Sequence, residues 1–440
     1  MAEIRPINGI RYNSKKVKYL SEVICPPYDI ISPQQQGELY ARSPYNFVRV
    51  EYGQETPSDS LSGNRYTRAE HFLEQWLKDD ILAIDQCAAI YVHDHYFMHR
   101  GNEVKRRGII VRVRLEEWHK MIVRPHEGTL TGPKSDRIAL IRALKANTSP
   151  ILSMFEDKGG AIRQVLARAT SDKPLARVHR LEGERHDLWA VTKPEESTAI
   201  VSALRDEPVY IADGHHRYES ALVYQREQAA LDPGAGLDAA FNFVMMELID
   251  FADPGLLILP PHRLLRGLNV SRLAELKSSL SAFFDTETLA YKGADSWSKL
   301  DKWQNEDWKR LVIYGLEGDD FLLLTLKDFE TAARFMPNFH TDIYKKLDVS
   351  MVDHIILEEM LGVKHEGDAG IAFNYDREDS VKTVQSGEFQ LAFIIKAVRP
   401  ETIKAISDAS DRMPRKSTYF YPKLPSGLVV NRESGIVAKL

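Results

Sequence analysis

Residues 208–224 read PVYIADGHHRYESALVY. VYIA is a short β-type run, Asp213-Gly214 is a turn pair, and from His215 onward Tyr218, Ala221, Leu222 and Gln225 recur at helical spacing. The segment is therefore a strand, a tight turn and a helix N-terminus. The first backbone N–H groups of a helix lack partners and its dipole is positive there, so an anion is favoured. Gly214 supplies a positive φ and close backbone approach if the turn requires them. Arg217 adds a planar fork suited to phosphate oxygens, His215 and His216 add donors that can become charged, and Asp213 is placed to hold a magnesium ion carried by a nucleotide. The plainer alternative is an Asp N-cap followed by surface histidines.

Upstream, RPHEGTLTGPKSDRIALIRALKANTSPI (124–151) offers a second group of functional side chains. Glu127 follows Pro125-His126 in a loop, and a helix is expected from Ser135 or Asp136 with Leu140, Ile141 and Leu144 on one face. Ser149-Pro150 ends it, because a residue before proline is pushed out of the helical region. Glu127 is a candidate general base, and Lys134, Arg137 and Ser149 are candidate contacts for an anion. Each also fits a solvated charge or a cap.

The rest of the 440-residue chain bounds the answer. With 43% hydrophobic and 28% charged residues it is a globular composition, long enough for two or three domains. No apolar run reaches the roughly 18 residues that span a bilayer, and the N-terminus lacks a signal peptide's apolar core, so a cytoplasmic protein is expected. Two cysteines, Cys25 and Cys87, exclude a disulfide framework and an all-cysteine zinc site, and both are expected to be buried. A net charge of −5 gives no footprint for nucleic acid.

NFVRVEYG (46–53) alternates like a strand, and ICPPYDIISPQQQ should enter a helix at Ser32-Pro33. Residues 88–118 read as two strands around a turn at Gly101-Asn102. In that hairpin His93 and His95 share a face; with no further ligand nearby in sequence, exposed strand histidines are expected rather than zinc. Helices are expected over 271–284 and 350–361, and strands near 311–326 and at EFQLAFIIKA. His262 and Arg263 in LPPHRLL, Tyr28 and Asp29 in PPYD, and Lys416 to Lys423 in KSTYFYPK are further polar groups that fit either a wall of the site or an ordinary loop or edge strand. The expected division is an N-terminal α+β region (1–118), a core (119–235) and a C-terminal α+β domain (236–440).

CPPYDII, PHEGTLTGPKSDR, NTSPI, YIADGHHRYESAL, ILPPHRL and MPRKSTYFYPKLPSGLV together resemble, end to end, the bacterial and archaeal domain-of-unknown-function family 1015. Over about residues 120–225, the order PHE, helix with an Arg, Ser-Pro-Ile opening a strand, and DGHHR opening a helix is similar to the archaeal free-serine kinases of the ParB/sulfiredoxin-like fold. The resemblance implies an α/β nucleotide-binding core of that fold, elaborated on both sides. It implies a kinase that phosphorylates free L-serine or a similar hydroxyl compound with ATP or ADP and magnesium. On it, Glu127, Asp213 and His216 are catalytic, Gly214, His215, His216, Arg217 and Ser149 cradle the phosphates, and Asp213 holds the metal. His126, Arg137 and Lys416 are the substrate-side candidates. Sulfiredoxin chemistry is not expected, since His215 stands where its cysteine would be. A ParB-like nucleotide switch without transfer remains the alternative, and a metal-dependent hydrolase or nuclease with His215, His216 and Asp213 as ligands is disfavoured because adjacent helical residues point about 100° apart.

Overall fold

The computed structural model describes residues 2–128, 131–179, 183–363 and 370–437. The chain forms two compact units. The first takes in the chain up to Pro125, the stretch that continues to Leu257, and the C-terminal segment from Pro422; the second holds His126–Gly128 and Ile258–Tyr421.

Among the described residues the first unit is built on a nine-stranded sheet. Its strands are β1 (Ile4–Arg5), β2 (Ile90–His99), β3 (Asn102–Arg114), β4 (Val123–Arg124), β5 (Ile151–Phe155), β6 (Ala176–His179), β7 (Arg185–Val191), β8 (Val209–Asp213) and β9 (Phe243–Asp250). They lie in the order β4-β8-β5-β9-β3-β2-β7-β6, with β1 also on β3. β4 with β8 and β5 with β9 are parallel, and the remaining pairs are antiparallel. The sheet is thus mixed and the unit is α/β. β5 and β9 are buried along almost their whole length, which is why ILSMF and FVMMELI are mostly apolar rather than alternating, each interrupted by one buried polar residue, Ser153 and Glu247. The β2–β3 hairpin turns at Arg100-Gly101, both with positive φ (48° and 79°), one residue earlier than the sequence suggests. Two positive φ values are the requirement of the tight hairpin turn that matches strand twist.

Helices α1 (Pro33–Arg42), α2 (Val48–Glu51) and α3 (Arg65–Lys78) precede the hairpin, and α4 (Thr131–Leu144), α5 (Ala161–Ala169), α6 (Pro194–Leu204) and α7 (His215–Leu231) follow it. α1 starts at the expected place: Ser32 caps it by accepting from Gln35 N at 3.2 Å, and Pro33 opens it. Residues 46–53 are not a strand. Phe47, Val48 and Val50 are all buried, so the alternation has no solvent side, and the Asn46 side chain accepts from Val48 N at 3.1 Å to start a helical turn instead. One sheet face is covered by Ile162 and Val165 of α5, Ile200 and Leu204 of α6, and Tyr218, Ala221 and Leu222 of α7. The other face packs Tyr91, Ile110, Leu188 and Met245 against Ile7, Ile24, Leu428 and Val429.

The last two residues named belong to the C-terminal segment, which is an integral part of this unit. Asn431–Arg432 pairs with Ala146–Asn147. Asn147 is a hub: its Oδ1 accepts from Met245 N and Asn431 Nδ2, both at 2.9 Å, and its Nδ2 donates to Glu433 at 2.6 Å. Burial pushes the Glu433 carboxyl up to about 8, against the pull of Asn147 and Arg112.

The second unit carries β10 (His262–Leu265), β11 (Phe284–Leu289), β12 (Arg310–Glu317), β13 (Asp320–Leu326), β14 (Ile371–Asn374) and β15 (Leu391–Phe393) in the order β11-β13-β12-β15-β10-β14. Helices α8 (Val270–Phe283), α9 (Ala294–Glu306), α10 (Arg377–Gln385) and α11 (Pro400–Asp408) accompany it. Trp297, Leu300, Tyr314, Phe321 and Val381 form its core. The helix expected at 350–361 is a short α-helical turn followed by a π-helical segment over Val352–Met360. Cys25 is buried as expected but Cys87 is exposed. No described helix is long and apolar enough to cross a membrane.

Candidate phosphate-binding corner

β8 ends at Asp213, Gly214 turns the chain, and α7 begins at His215. Gly214, not Asp213, is the N-cap; it has φ +98°, and no side chain caps the helix. A Cβ on Gly214 would lie 2.9 Å from Nε and Nη2 of Arg217. The glycine is required twice: by its left-handed backbone, and because the guanidinium lies against it.

Arg217 Nη1 donates to Ser149 Oγ at 3.0 Å and to the Pro150 carbonyl at 2.6 Å, and Nη2 donates to Asp213 Oδ2 at 2.9 Å. These bonds use three of its five N–H donors. α4 ends at Leu144, where Lys145 takes a positive φ of 49°, earlier than the Ser149-Pro150 stop the sequence suggests; Ser149 and Pro150 lie just before β5 and present a hydroxyl and a carbonyl to the arginine. α7 is tied to α4 by Ser220 Oγ, hydrogen-bonded to the carbonyls of His216 (2.7 Å) and Lys134 (3.2 Å).

The other oxygen of Asp213 accepts from Lys423 Nζ, and that lysine also lies 3.7 Å from Asp29. Burial raises the Asp213 carboxyl, but Lys423 first, then Arg217 and His215, outweigh it and hold the group below the usual carboxylate range. Asp213 is therefore an anion pinned between two cations. Each of its oxygens accepts one hydrogen bond from a cation, so the carboxylate positions both Arg217 and Lys423.

The PPYD loop borders the same place. The Arg137 guanidinium lies 3.8 Å from the Tyr28 ring centre, and burial pushes the Tyr28 hydroxyl up to about 12. Arg137 is itself buried and bonds Glu51 at 3.2 Å and Asp136 at 2.7 Å, so it is a structural tie between α4 and α2. Burial raises the Glu51 carboxyl, with Arg137 pulling the other way. Behind the corner, Arg137, Asn147, Ser149, Arg217 and Ser220 help line a cavity of about 40 Å³. That is room for a water or two and not for a nucleotide. The corner thus presents to an anion a helix N-terminus that no side chain caps among the described residues and two remaining Arg217 donors, with Arg217 and Lys423 already matched by Asp213 and Asp29.

Glu127 and His126 lie in the second unit, together with Lys416. Glu127 Oε1 accepts from Ser417 N (3.2 Å), Thr418 N (3.3 Å) and Thr418 Oγ1 (3.1 Å). His126 is fully buried; its Nε2 lies 2.9 Å from Thr418 Oγ1, and Met413 N donates to its carbonyl at 2.7 Å. The KST segment thus holds the PHE loop, and Oε2 of Glu127 accepts no hydrogen bond among the described residues. Lys416 is exposed with φ +55°, and its carbonyl accepts from Arg263 at 3.0 Å. Thr129 and Leu130, in the loop after Glu127, lie outside the described residues. Arg263 and His262 are buried structural groups: the first pairs with Asp353 at 3.0 Å, the second accepts from Ile395 N at 3.0 Å. Lys423 carried a sequence signal only as one donor among several; its partner stands 210 positions away, and nothing local reveals it.

The chain belongs to the family described as "Protein of unknown function (DUF1015)", whose model matches residues 4–350. No curated protein matches it. Among solved structures, a free serine kinase in complex with AMP is 12% identical with a TM-score of 0.35, over 72% of this chain and 90% of that one. A conserved hypothetical protein from Pyrococcus furiosus is 12% identical with a TM-score of 0.34, over 72% and 94%. SbnI with a C-terminal truncation, from Staphylococcus aureus, is 9% identical with a TM-score of 0.33, over 71% and 84%.

Proposed function

We propose that this chain is a nucleotide-dependent kinase of a small hydroxyl compound, with a ParB/sulfiredoxin-like core that seats the nucleotide's phosphates on the corner at 213–217. The observation that carries the reading is an uncapped helix N-terminus behind a positive-φ glycine, with Arg217 locked beside it by Ser149, Pro150 and Asp213. Phosphoryl transfer needs positioning and charge neutralisation more than covalent chemistry, and fixed donors of this kind supply both. The α7 amides, His215, His216 and Arg217 bind phosphate oxygens; Lys423 and Asp213 keep the arginine in place.

The acceptor, free L-serine, and the base, Glu127, rest on the sequence resemblance. Glu127 would take the hydroxyl proton through Oε2 as the serine oxygen bonds to phosphorus and the nucleotide leaves one phosphate shorter. When bound, magnesium would neutralise phosphate charge, carried by the nucleotide with Asp213 as the carboxylate that would hold it. A second reading, nucleotide binding without transfer, is supported by the same observation, because a helix N-terminus and a fixed arginine seat phosphates whether or not one is transferred.

Incubation with γ-labelled ATP, and in parallel β-labelled ADP, against a pool of amino acids and polyols separates the two. Labelled O-phosphoserine supports the kinase; nucleotide binding with no labelled product supports the switch. Arg217→Ala should weaken nucleotide binding about tenfold or more, read by calorimetry, whichever holds.

A further inference from the structure

The sequence places His93 and His95 on one face of β2, and they are not exposed: both are fully buried. The sheet brings them partners from strands distant in sequence. β7 runs antiparallel to β2 with His186 directly opposite His95, and Glu184 stands just before β7. His95 Nε2 lies 3.3 Å from Glu184 Oε2, His186 Nε2 lies 3.6 Å from the same oxygen, and one ligand atom of each residue falls within 4.8 Å of the others. Four ligands at about 2.0–2.1 Å around a tetrahedral zinc ion are separated by about 3.4 Å. The two distances to Glu184, 3.3 and 3.6 Å, are already of that size.

The surroundings orient the rings as a metal site requires. His186 Nδ1 is 3.1 Å from His93 Nε2, and His93 Nδ1 is 3.0 Å from both oxygens of Glu247 on β9. Glu247 reaches His93 across β3 because the residue between them is Gly108, where a Cβ would lie 2.8 Å from the Glu247 side chain. With Glu247 accepting from His93 Nδ1–H, His93 Nε2 accepts from His186 Nδ1–H, and the lone pair of His186 Nε2 points toward Glu184. A carboxylate–histidine relay behind a ligating histidine is the usual way to fix its tautomer and raise its basicity.

We propose that His95, His186 and Glu184 form a binding site for a single divalent transition metal of the zinc class, with His93 and Glu247 as its positioning residues. Two imidazoles and a carboxylate suit zinc better than magnesium or calcium, which prefer all-oxygen shells. Glu184 is the only partly exposed ligand, with 17% of its side chain accessible, and marks the entry side. Arg106 opposes binding: its Nη2 lies 3.3 Å from His95 Nδ1 and donates to the Pro422 carbonyl at 2.9 Å. A metal on Nε2 puts a proton on Nδ1, so the guanidinium must then rest on the carbonyl alone. The site binds through β2 and β7 and does not depend on the kinase reading.

The test is zinc titration of the chelator-stripped full chain by calorimetry, with cobalt as a spectroscopic substitute. One zinc per chain, a raised Tm and the visible absorption of four-coordinate cobalt are expected. Glu184→Gln, at a partly exposed position that should fold normally, should weaken zinc by tenfold or more. His93→Gln should weaken it 10- to 100-fold through His186. The proposal is overturned if the wild-type chain takes up no stoichiometric zinc and gives no cobalt spectrum. It is equally overturned if Glu184→Gln, with wild-type circular dichroism and Tm, binds zinc as tightly as the parent.

Discussion

Asp213 in the first unit sits between two cations, whereas Glu127 in the second is held on one oxygen by two backbone amides and a hydroxyl. The difference is chemical. A carboxylate clamped by arginine and lysine is fixed as a charge and organises its neighbours; one held by neutral donors through a single oxygen keeps a second oxygen to take a proton. The sequence already separates the two, Glu127 as candidate base and Asp213 as metal-side carboxylate, and their surroundings differ accordingly.

The largest effect should fall on Glu127. Glu127→Gln keeps the acceptor for Ser417 and Thr418 but loses the basic oxygen, so phosphotransfer should drop about 10²- to 10⁴-fold with nucleotide affinity within about twofold. Retained activity, followed by labelled product formation, would erase the contrast between the two carboxylates.

Glu433 extends the comparison to a carboxylate held by a neutral amide and buried. Its folded value is raised to about 8, so its contribution to stability is full below the ordinary carboxylate range and is lost as pH rises toward and through 8. Glu433→Gln should remove that slope and be the more stable protein at pH 9 by about 3–4 kcal/mol, read by urea denaturation across pH.

Asp213 has the opposite sign. Its folded value is depressed, so its stabilisation is present at neutral pH and disappears as pH falls below about 4. Lys423→Met should therefore cost about 2 kcal/mol at pH 7, with the gap to wild type closing in acid. A gap that persists unchanged at pH 2 would mean that the lysine acts through packing rather than through Asp213. The smallest effect is expected at Gly214→Ala, about 1–2 kcal/mol from the left-handed backbone alone, with a modest loss of nucleotide affinity as Arg217 is pushed aside; thermal melts and calorimetry would measure both.

What the sequence reveals follows from the range of each interaction. The 209–231 strand–turn–helix, the α1 cap and the β2–β3 hairpin depend on neighbours within a few residues, and their residue patterns announce them. The turn at 46–53 misleads because β-branched residues buried on every side mimic a strand. Partners supplied by tertiary pairing leave no local trace: His186 opposite His95, Lys423 on Asp213, Arg137 on Glu51. The sequence shows which side chains can do chemistry; the sheet order shows which of them meet.

The return of the C-terminal segment to the first unit has a consequence for biosynthesis. Lys423, Asn431 and Glu433 emerge from the ribosome after the entire second unit, yet their contacts lie with Asp213 and Asn147. Early-made strands must wait for them, and a contact separated by 284 positions is slow to find. A prematurely terminated chain would carry the DGHHR corner without Lys423, leaving Asp213 with Arg217 as its one remaining cationic hydrogen-bond partner among the described residues.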